Sequence, residues 1–307
     1  MRKSLITAAL MALMAATPAM AEPSPRVLVS IKPLHGLVAS VMKGVAEPGL
    51  IVAGVNSPHG YAMKPSDLRA LEQADLVVWV GKDFETWLAK PLAKVRNRIS
   101  MRDLPGMLVL DSREGGVWEA HGHAKPKHHH HDDHDETDSH VWLDPDNAAR
   151  LVDAVAIRLK SLDPAHAALY DANAAETRSR LTRLDSELAA RLIPVASKPY
   201  VVFHDAQQYF EKRYGLSPAG AMTVDPERPL SAKRLASLRD RLKTANAACV
   251  FREPGYGAEA AKTLADAAGV RIGELDPEGT RIEPGPDAYV ALMTGLGNAI
   301  ADCLSGR

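Results

Sequence analysis

Residues 165–193 read AHAALYDANAAETRSRLTRLDSELAARLI, a run without glycine or proline that Pro164 and Pro194 close at either end. Ala, Leu, Glu and Arg dominate it, and all four are strong helix formers. The run predicts one helix of about 43 Å at 1.5 Å per residue. Inside a globular chain such a helix is either a bundle member or a strut between domains, and its flanks decide which. Before it, short apolar runs at 26–31, 50–55, 76–80 and 107–110 alternate with helical patterns at 33–43, 65–74, 84–96 and 146–162. After it, runs at 200–203, 248–251 and 271–275 alternate with helical patterns at 206–214, 231–243, 258–268 and 287–304. Strand–helix alternation of this kind builds parallel sheets with crossover helices. The expected fold class is α/β, with two (β/α) lobes, at 22–163 and 195–307, joined by one long linker helix at 164–194.

The first 21 residues, MRKSLITAALMALMAATPAMA, have the three parts of a secretory leader. Arg2 and Lys3 supply the positive start, 4–16 the apolar middle, and Ala19-Met20-Ala21 the small-residue cleavage pattern. The apolar run is too short to span a bilayer comfortably. The expected product is an exported, soluble chain starting near Glu22, with no cysteine at the cut to carry a lipid. Over all 307 residues the 37 basic and 38 acidic side chains show no nucleic-acid footprint. Cys249 and Cys303 are the only cysteines. In an exported chain a lone pair reads as a disulfide, stabilising by about 4 kcal/mol in the chain-entropy model. Two buried free thiols are the alternative.

The chemistry lies in histidine. Residues 119–140 read EAHGHAKPKHHHHDDHDETDSH, with eight histidines among acidic residues and no apolar side chain larger than Ala. So many rings in so polar a segment cannot serve a core, and imidazole is the commonest ligand for borderline-soft divalent metals. A loop this polar must lose backbone entropy of about 1 kcal/mol per residue to wrap an ion, so its sites should be weak. His121, His123, His128, His129, His130, His131 and His134 are therefore read as accessory metal-binding residues.

Single histidines elsewhere follow the strands. His59 comes after the run at 50–55, His204 directly after 200–203, Asp276 after 271–275, and His140 closes the polar loop. Open parallel sheets bind ligands at the carboxyl ends of their strands, so these four can meet in a cleft between lobes. Three imidazoles with a carboxylate or water form a tetrahedral set suited to zinc. Protons compete for the same nitrogens, which predicts affinity falling as the pH drops through about 6. His35 and His166 lie in helical stretches and read as hydrogen-bonded structural residues.

Several longer motifs stand in order along the chain: SIKPLHGLVASV at 30–41, PHGYAMKPSDLRALEQADLVVWVG at 58–81, HVWLDP at 140–145, FHDAQQYFEKRYGL at 203–216, CVFREPGYG at 249–257 and ELDPEGT at 274–280. With the acidic His-rich loop between the second and third, the chain resembles the periplasmic zinc-binding components of ABC importers. These are the ZnuA type within the metal-binding cluster of solute-binding proteins, and the likeness runs from about Val27 to the C-terminus. The resemblance implies a metal site in the inter-lobe cleft with His59, His140 and His204 as ligands and Asp276 or water as the fourth. Some relatives carry a metal-approaching Glu before the first histidine, where this chain has Pro58. It further implies a Cys249–Cys303 disulfide, one rigid bridging helix, periplasmic capture of Zn2+, and delivery to an inner-membrane permease driven by a cytoplasmic ATPase. A monomer is expected, with a periplasmic zinc chaperone as a further candidate partner. Other readings are a manganese carrier of the same family, a zinc hydrolase using Asp205 or Glu253 as base, and an adhesin or metal store. The first suffers from the poverty of oxygen ligands and the last from the absent lipid-attachment cysteine.

Overall fold

The alternation on either side of the long helix folds into two four-stranded parallel sheets. The computed structural model describes residues 24–54, 57–113, 118, 137–224, 226–227 and 229–306. The leader and the seven accessory histidines lie outside these residues. The first sheet contains β1 (Val27–Val29), β2 (Gly49–Leu50), β3 (Leu76–Trp79) and β4 (Arg98–Ser100) in the order β2-β1-β3-β4, all parallel. β1 and β3 are buried along their whole length, as expected of central parallel strands covered on both faces. Helices α1 (Lys32–Met42), α2 (Pro65–Gln73) and α3 (Thr86–Leu92) make the crossovers.

The fourth strand is not the one the sequence suggests. β4 has a single buried apolar residue, Ile99, between Arg98 and Ser100, too little to register as a pattern. The expected strand at 107–110 leaves the sheet because its backbone is taken elsewhere. Leu108 N donates to Asn147 Oδ1 (2.8 Å), and Asn147 Nδ2 donates back to Leu108 O (2.9 Å). The segment ends in a short antiparallel ladder, β5 (Leu110–Asp111) on β6 (Thr137–Asp138), which closes the base of the His-rich tract. The chain then enters α4 (Pro145–Leu162).

The second sheet has β7 (Tyr200–His204), β8 (Pro218–Thr223), β9 (Cys249–Arg252) and β10 (Arg271–Glu274) in the order β10-β9-β7-β8, again parallel. β8 was not anticipated, since Pro218, Ala219, Gly220 and Ala221 offer no β-branched or aromatic side chain. Helices α6 (Gln208–Tyr214), α7 (Ala232–Thr244), α8 (Ala258–Ala268) and α9 (Ala288–Ser305) cover the sheet and close the chain. Cys249 of β9 and Cys303 of α9 form a disulfide with Cα atoms 6.2 Å apart, so they are not free thiols.

The long helix, α5, runs from Ala167 to Leu192, 26 residues and about 39 Å. It is both strut and bundle member. Tyr170, Asn173, Ala174, Thr177, Leu181, Leu184, Leu188 and Leu192 form its buried stripe at three- and four-residue steps. Near its start Asn173 Nδ2 donates to the carbonyls of Val41 (2.9 Å) and Lys43 (2.8 Å) at the end of α1. Farther along, Leu188 packs onto Gly297 of α9, where an added Cβ would come within 2.3 Å of its Cδ2. Helix α9 also crosses α1, so one continuous apolar core runs from the first sheet through α5 and α9 to the second. A core shared in this way opposes wide hinge opening, because parting the sheets would expose it.

The crossing of α1 and α9 is tightest at Gly36. A Cβ there would lie 2.8 Å from the backbone nitrogen of Tyr289 and 3.2 Å from Ala288 Cβ. Gly36→Ala should therefore cost about 1–3 kcal/mol through overpacking against backbone that cannot swing aside. Urea unfolding should show a lowered midpoint at unchanged slope. A midpoint equal to the parent's would mean that the two helices yield freely and the cross-lobe packing is loose.

Candidate metal centre

Each of three histidines reaches the interface between the sheets from a differently built support. His59 lies in the turn that follows β2, whose ladder extends through Ile51 N to Val29 O and Val52 N to Ser30 O. Ser57 Oγ accepts from His59 N (3.2 Å), and Trp87 Nε1 donates to Pro58 O (2.7 Å), fixing the turn from both sides. Gly60 lets the turn meet the other half of the chain: a Cβ there would be 2.3 Å from Glu227 Oε2. His140 stands between β6 and a single 3₁₀ turn, Val141–Leu143. Asp144 then caps α4, its carboxylate accepting from Asp146 N and Asn147 N, both at 2.9 Å. Trp142 anchors the segment by donating from Nε1 to Pro277 O (2.9 Å), and its carbonyl accepts from Tyr289 OH (2.7 Å). His204 ends β7 and is fully buried.

The candidate ligand nitrogens of the three rings all lie within 4.8 Å of one another. Nε2 of His140 and Nε2 of His204 are 3.2 Å apart. Two nitrogens bound to one zinc at 2.0–2.1 Å and the tetrahedral angle would be about 3.3 Å apart. Nε2 of His59 is buried without a hydrogen-bond partner, an acceptor or donor left for something else. Phe84 packs edge-on against His59 at 4.8 Å between centroids and against His140 at 5.7 Å, walling the group with apolar surface. Phe84 is held by its neighbour Glu85, whose buried carboxylate accepts from Val80 N (3.2 Å) and Gly81 N (2.9 Å).

Two carboxylates choose the tautomers. Asp138 Oδ1 accepts from His140 Nδ1 at 2.7 Å, and Glu253 Oε1 accepts from His204 Nδ1 at 3.0 Å. Each places the ring proton on Nδ1 and leaves Nε2 for a ligand, the usual support of a metal-binding imidazole. The facing Nε2 atoms can sit at 3.2 Å only with a proton or a cation between them. Burial, then the charges of His204 and His140, pushes His59 well below its ordinary pKa. Burial and then His204 push His140 down likewise. His204 goes the other way: burial pulls it down, but the charge and hydrogen bond of Glu253, with Glu278 and Asp205 behind them, lift it to about 9. In the metal-free protein the shared proton thus belongs to His204, donated from Nε2 to His140.

Asp276, expected as the fourth ligand with water as the alternative, lies outside this group. Its Oδ1 accepts from Thr280 N (3.0 Å), and its Oδ2 from Thr280 Oγ1 (3.0 Å) and Arg281 N (3.4 Å). It caps the turn after β10, a common use of an Asp just past a strand. Glu278 on that turn lines a narrow pocket with Pro58, and burial, reinforced by Glu253, raises its carboxyl to about 8. His35 and His166 are structural as expected, bonded to Pro48 O (3.0 Å) and Asp163 Oδ2 (2.7 Å). The orienting roles of Asp138 and Glu253 escaped the sequence reading. Asp138 lies within an acidic run, and Glu253, which in the sequence reads as a candidate base, also follows a strand.

A family model described as ZnuA, zinc-uptake complex component A periplasmic, matches residues 27–303. The chain is 41% identical to the high-affinity zinc uptake system protein ZnuA of Brucella suis biovar 1 (strain 1330), over 91% of each chain. It is 37% identical to the protein of the same name from Yersinia pestis, over 92% of each. Among solved structures it is similar to a ZnuA deletion mutant with zinc bound, with a TM-score of 0.75 at 27% identity, covering 92% of this chain and 99% of that one.

The pH dependence of metal binding follows from these charges. A metal needs all three rings neutral. His59 and His140 already are at pH 7, whereas His204, with its pKa lifted to about 9, is not. Binding should therefore release one proton per ion at pH 7, and affinity should climb roughly tenfold per pH unit until it levels near 9. This window lies above the one set by an ordinary histidine. Calorimetry in buffers of different ionisation enthalpy reads the proton directly, and Glu253→Gln should abolish its release. No proton released at pH 7 by the parent would contradict the assignment.

Proposed function

The chain belongs to the ZnuA family of periplasmic zinc-uptake components, and from that premise we propose that it captures Zn2+ on His59, His140 and His204 and delivers it to the permease of an ABC importer. The observation that carries the reading is the buried meeting of three imidazoles, with two Nε2 atoms 3.2 Å apart, close to the spacing that zinc imposes. Water takes the fourth position, because both oxygens of Asp276 are engaged by Thr280 and Arg281. The family is one of solute-binding proteins, not enzymes. A hydrolase would need a carboxylate free to take a proton from water. The two candidates are otherwise engaged, Asp205 by Arg113 and Glu253 by His204. Three nitrogens, with no carboxylate grouped with them among the described residues, favour zinc over manganese.

The protein acts in the periplasm as a monomer, and among the described residues no helix is long and apolar enough to cross a membrane. Its partners are the inner-membrane permease, powered by a cytoplasmic ATPase, and a periplasmic zinc chaperone. Release proceeds by small movements, since the shared core opposes wide opening of the lobes. The His-rich tract collects zinc on weaker sites and raises the supply near the centre.

Titration of metal-stripped protein tests this reading. The parent should bind one zinc tightly and further zinc weakly, with manganese weaker at the tight site by at least about a hundredfold. Removing residues 119–136 should abolish the weak sites and keep the tight one. The cut must stop short of Asp138, because Asp138 orients His140. Equal or tighter manganese would turn the reading to a manganese carrier, and loss of the tight site in the shortened chain would make the tract the principal site.

A further inference from the structure

We propose that Arg113 is a positioning residue of the metal centre, holding His204 in place through Asp205 from the base of the His-rich tract. The proposal rests on the reading of His204 as a ligand. Arg113 lies two residues beyond β5, in the part of the chain that precedes the tract, yet its guanidinium is buried against the second sheet. Its side chain is 17% exposed, and those of its partners Asp205 and Glu211 are 8% and 3% exposed. Nε donates to Asp205 Oδ2 (3.1 Å) and Nη2 to Asp205 Oδ1, while Nη1 donates to Glu211 Oε2 (2.7 Å). The other oxygen of Glu211 accepts from Tyr200 OH (2.9 Å) at the start of β7. The Trp118 ring lies over the guanidinium at 3.7 Å.

A planar fork closed on both oxygens of one carboxylate fixes its orientation as well as its distance. The carboxylate so fixed belongs to the residue directly after His204, and Asp205 N is bonded to Thr223 O (3.1 Å) on the neighbouring strand. The backbone from which the His204 ring departs is therefore pinned on both sides. The opposite stem of the tract does the same for the other ligand, since Asp138 of β6 accepts from both Nδ1 (2.7 Å) and N (3.0 Å) of His140. Between the stems Tyr209 OH accepts from Leu110 N (2.9 Å) and donates to Asp138 O (2.7 Å), riveting the ladder to α6. The β5–β6 ladder is thus a yoke: one arm ends on the support of His204, the other on that of His140. Stability alone is a poor account of Arg113, because a buried ion pair seldom outperforms apolar residues of the same volume.

The test uses the full chain and its Arg113→Lys and Arg113→Gln variants. Lysine keeps the charge without the fork; glutamine loses the charge and keeps a donor. Zinc affinity at the tight site should fall by about tenfold in the lysine variant and about a hundredfold in the glutamine variant, the range typical of residues that orient metal ligands. Cobalt loaded in place of zinc should show a visible absorption band changed in position or intensity, a readout of ligand geometry that a purely structural residue would not move. Thermal melting of the metal-free variants reads stability separately. Affinities within about threefold of the parent with an unaltered cobalt band would overturn the proposal, whatever the melting temperatures. Failure of both variants to fold would overturn it too, by assigning Arg113 to the fold. His204→Ala separates the two readings: if it binds zinc as tightly as the parent, the centre itself has been misassigned and this inference falls with it.

Discussion

Two imidazole nitrogens 3.2 Å apart in a buried pocket are an unfavourable arrangement unless a charge sits between them, and much of this structure bears on that pair. His140 arrives from the segment between the first sheet and α4, and His204 from the central strand of the second sheet. Neither half of the chain can make the contact alone. The pair is maintained because one apolar core spans both halves, even though the second sheet carries a further cluster of its own around Val201, Leu238 and Leu264. Trp142 reaches across to Pro277, Tyr289 reaches back to Trp142, and α5 is buried against α1, α4 and α9 along one stripe. The disulfide ties α9 to β9, the strand that leads into Glu253 and so into the hydrogen bond on His204.

The architecture was legible where physics is local. A run of 29 residues without a helix breaker could hardly be anything but helix, and it is shortened only by 3₁₀ turns at Pro164 and Pro194. Continuous apolar runs such as LVVW gave the central strands. What escaped was decided by partners distant in sequence. β4 and β8 are strands because of what lies beside them, not because of their own composition. Residues 107–110 have a strand-like composition, but Asn147 claims the backbone of Leu108.

The same division runs through the site. The rule that ligands gather at the carboxyl ends of parallel strands pointed to His59 and His204, and the structure brings both together with His140, which closes the polar loop. The rule also selected Asp276, which follows a strand as faithfully, and there topology was not enough. A carboxylate just past a strand can accept from the next backbone amides, and Asp276 does so with Thr280 and Arg281. Side-chain direction is set by such short-range competition, invisible in a list of positions. The orienting carboxylates were hidden for the converse reason. Glu253 and His204 are 49 residues apart in the chain, and only the pairing of β7 with β9 brings them together.

The short ladder of Leu110–Asp111 on Thr137–Asp138 has a consequence for how such chains diverge. A loop whose two ends are already held together costs little to lengthen, about 0.6 kcal/mol for each doubling of its residues. Insertions, deletions and compositional drift between the two strands are therefore nearly neutral for folding, while Arg113 on one side and Asp138 on the other mark where that tolerance stops. A change of length or composition there need not be matched by compensating changes in the core. The ladder thus separates the length of the tract from the geometry of the group it adjoins.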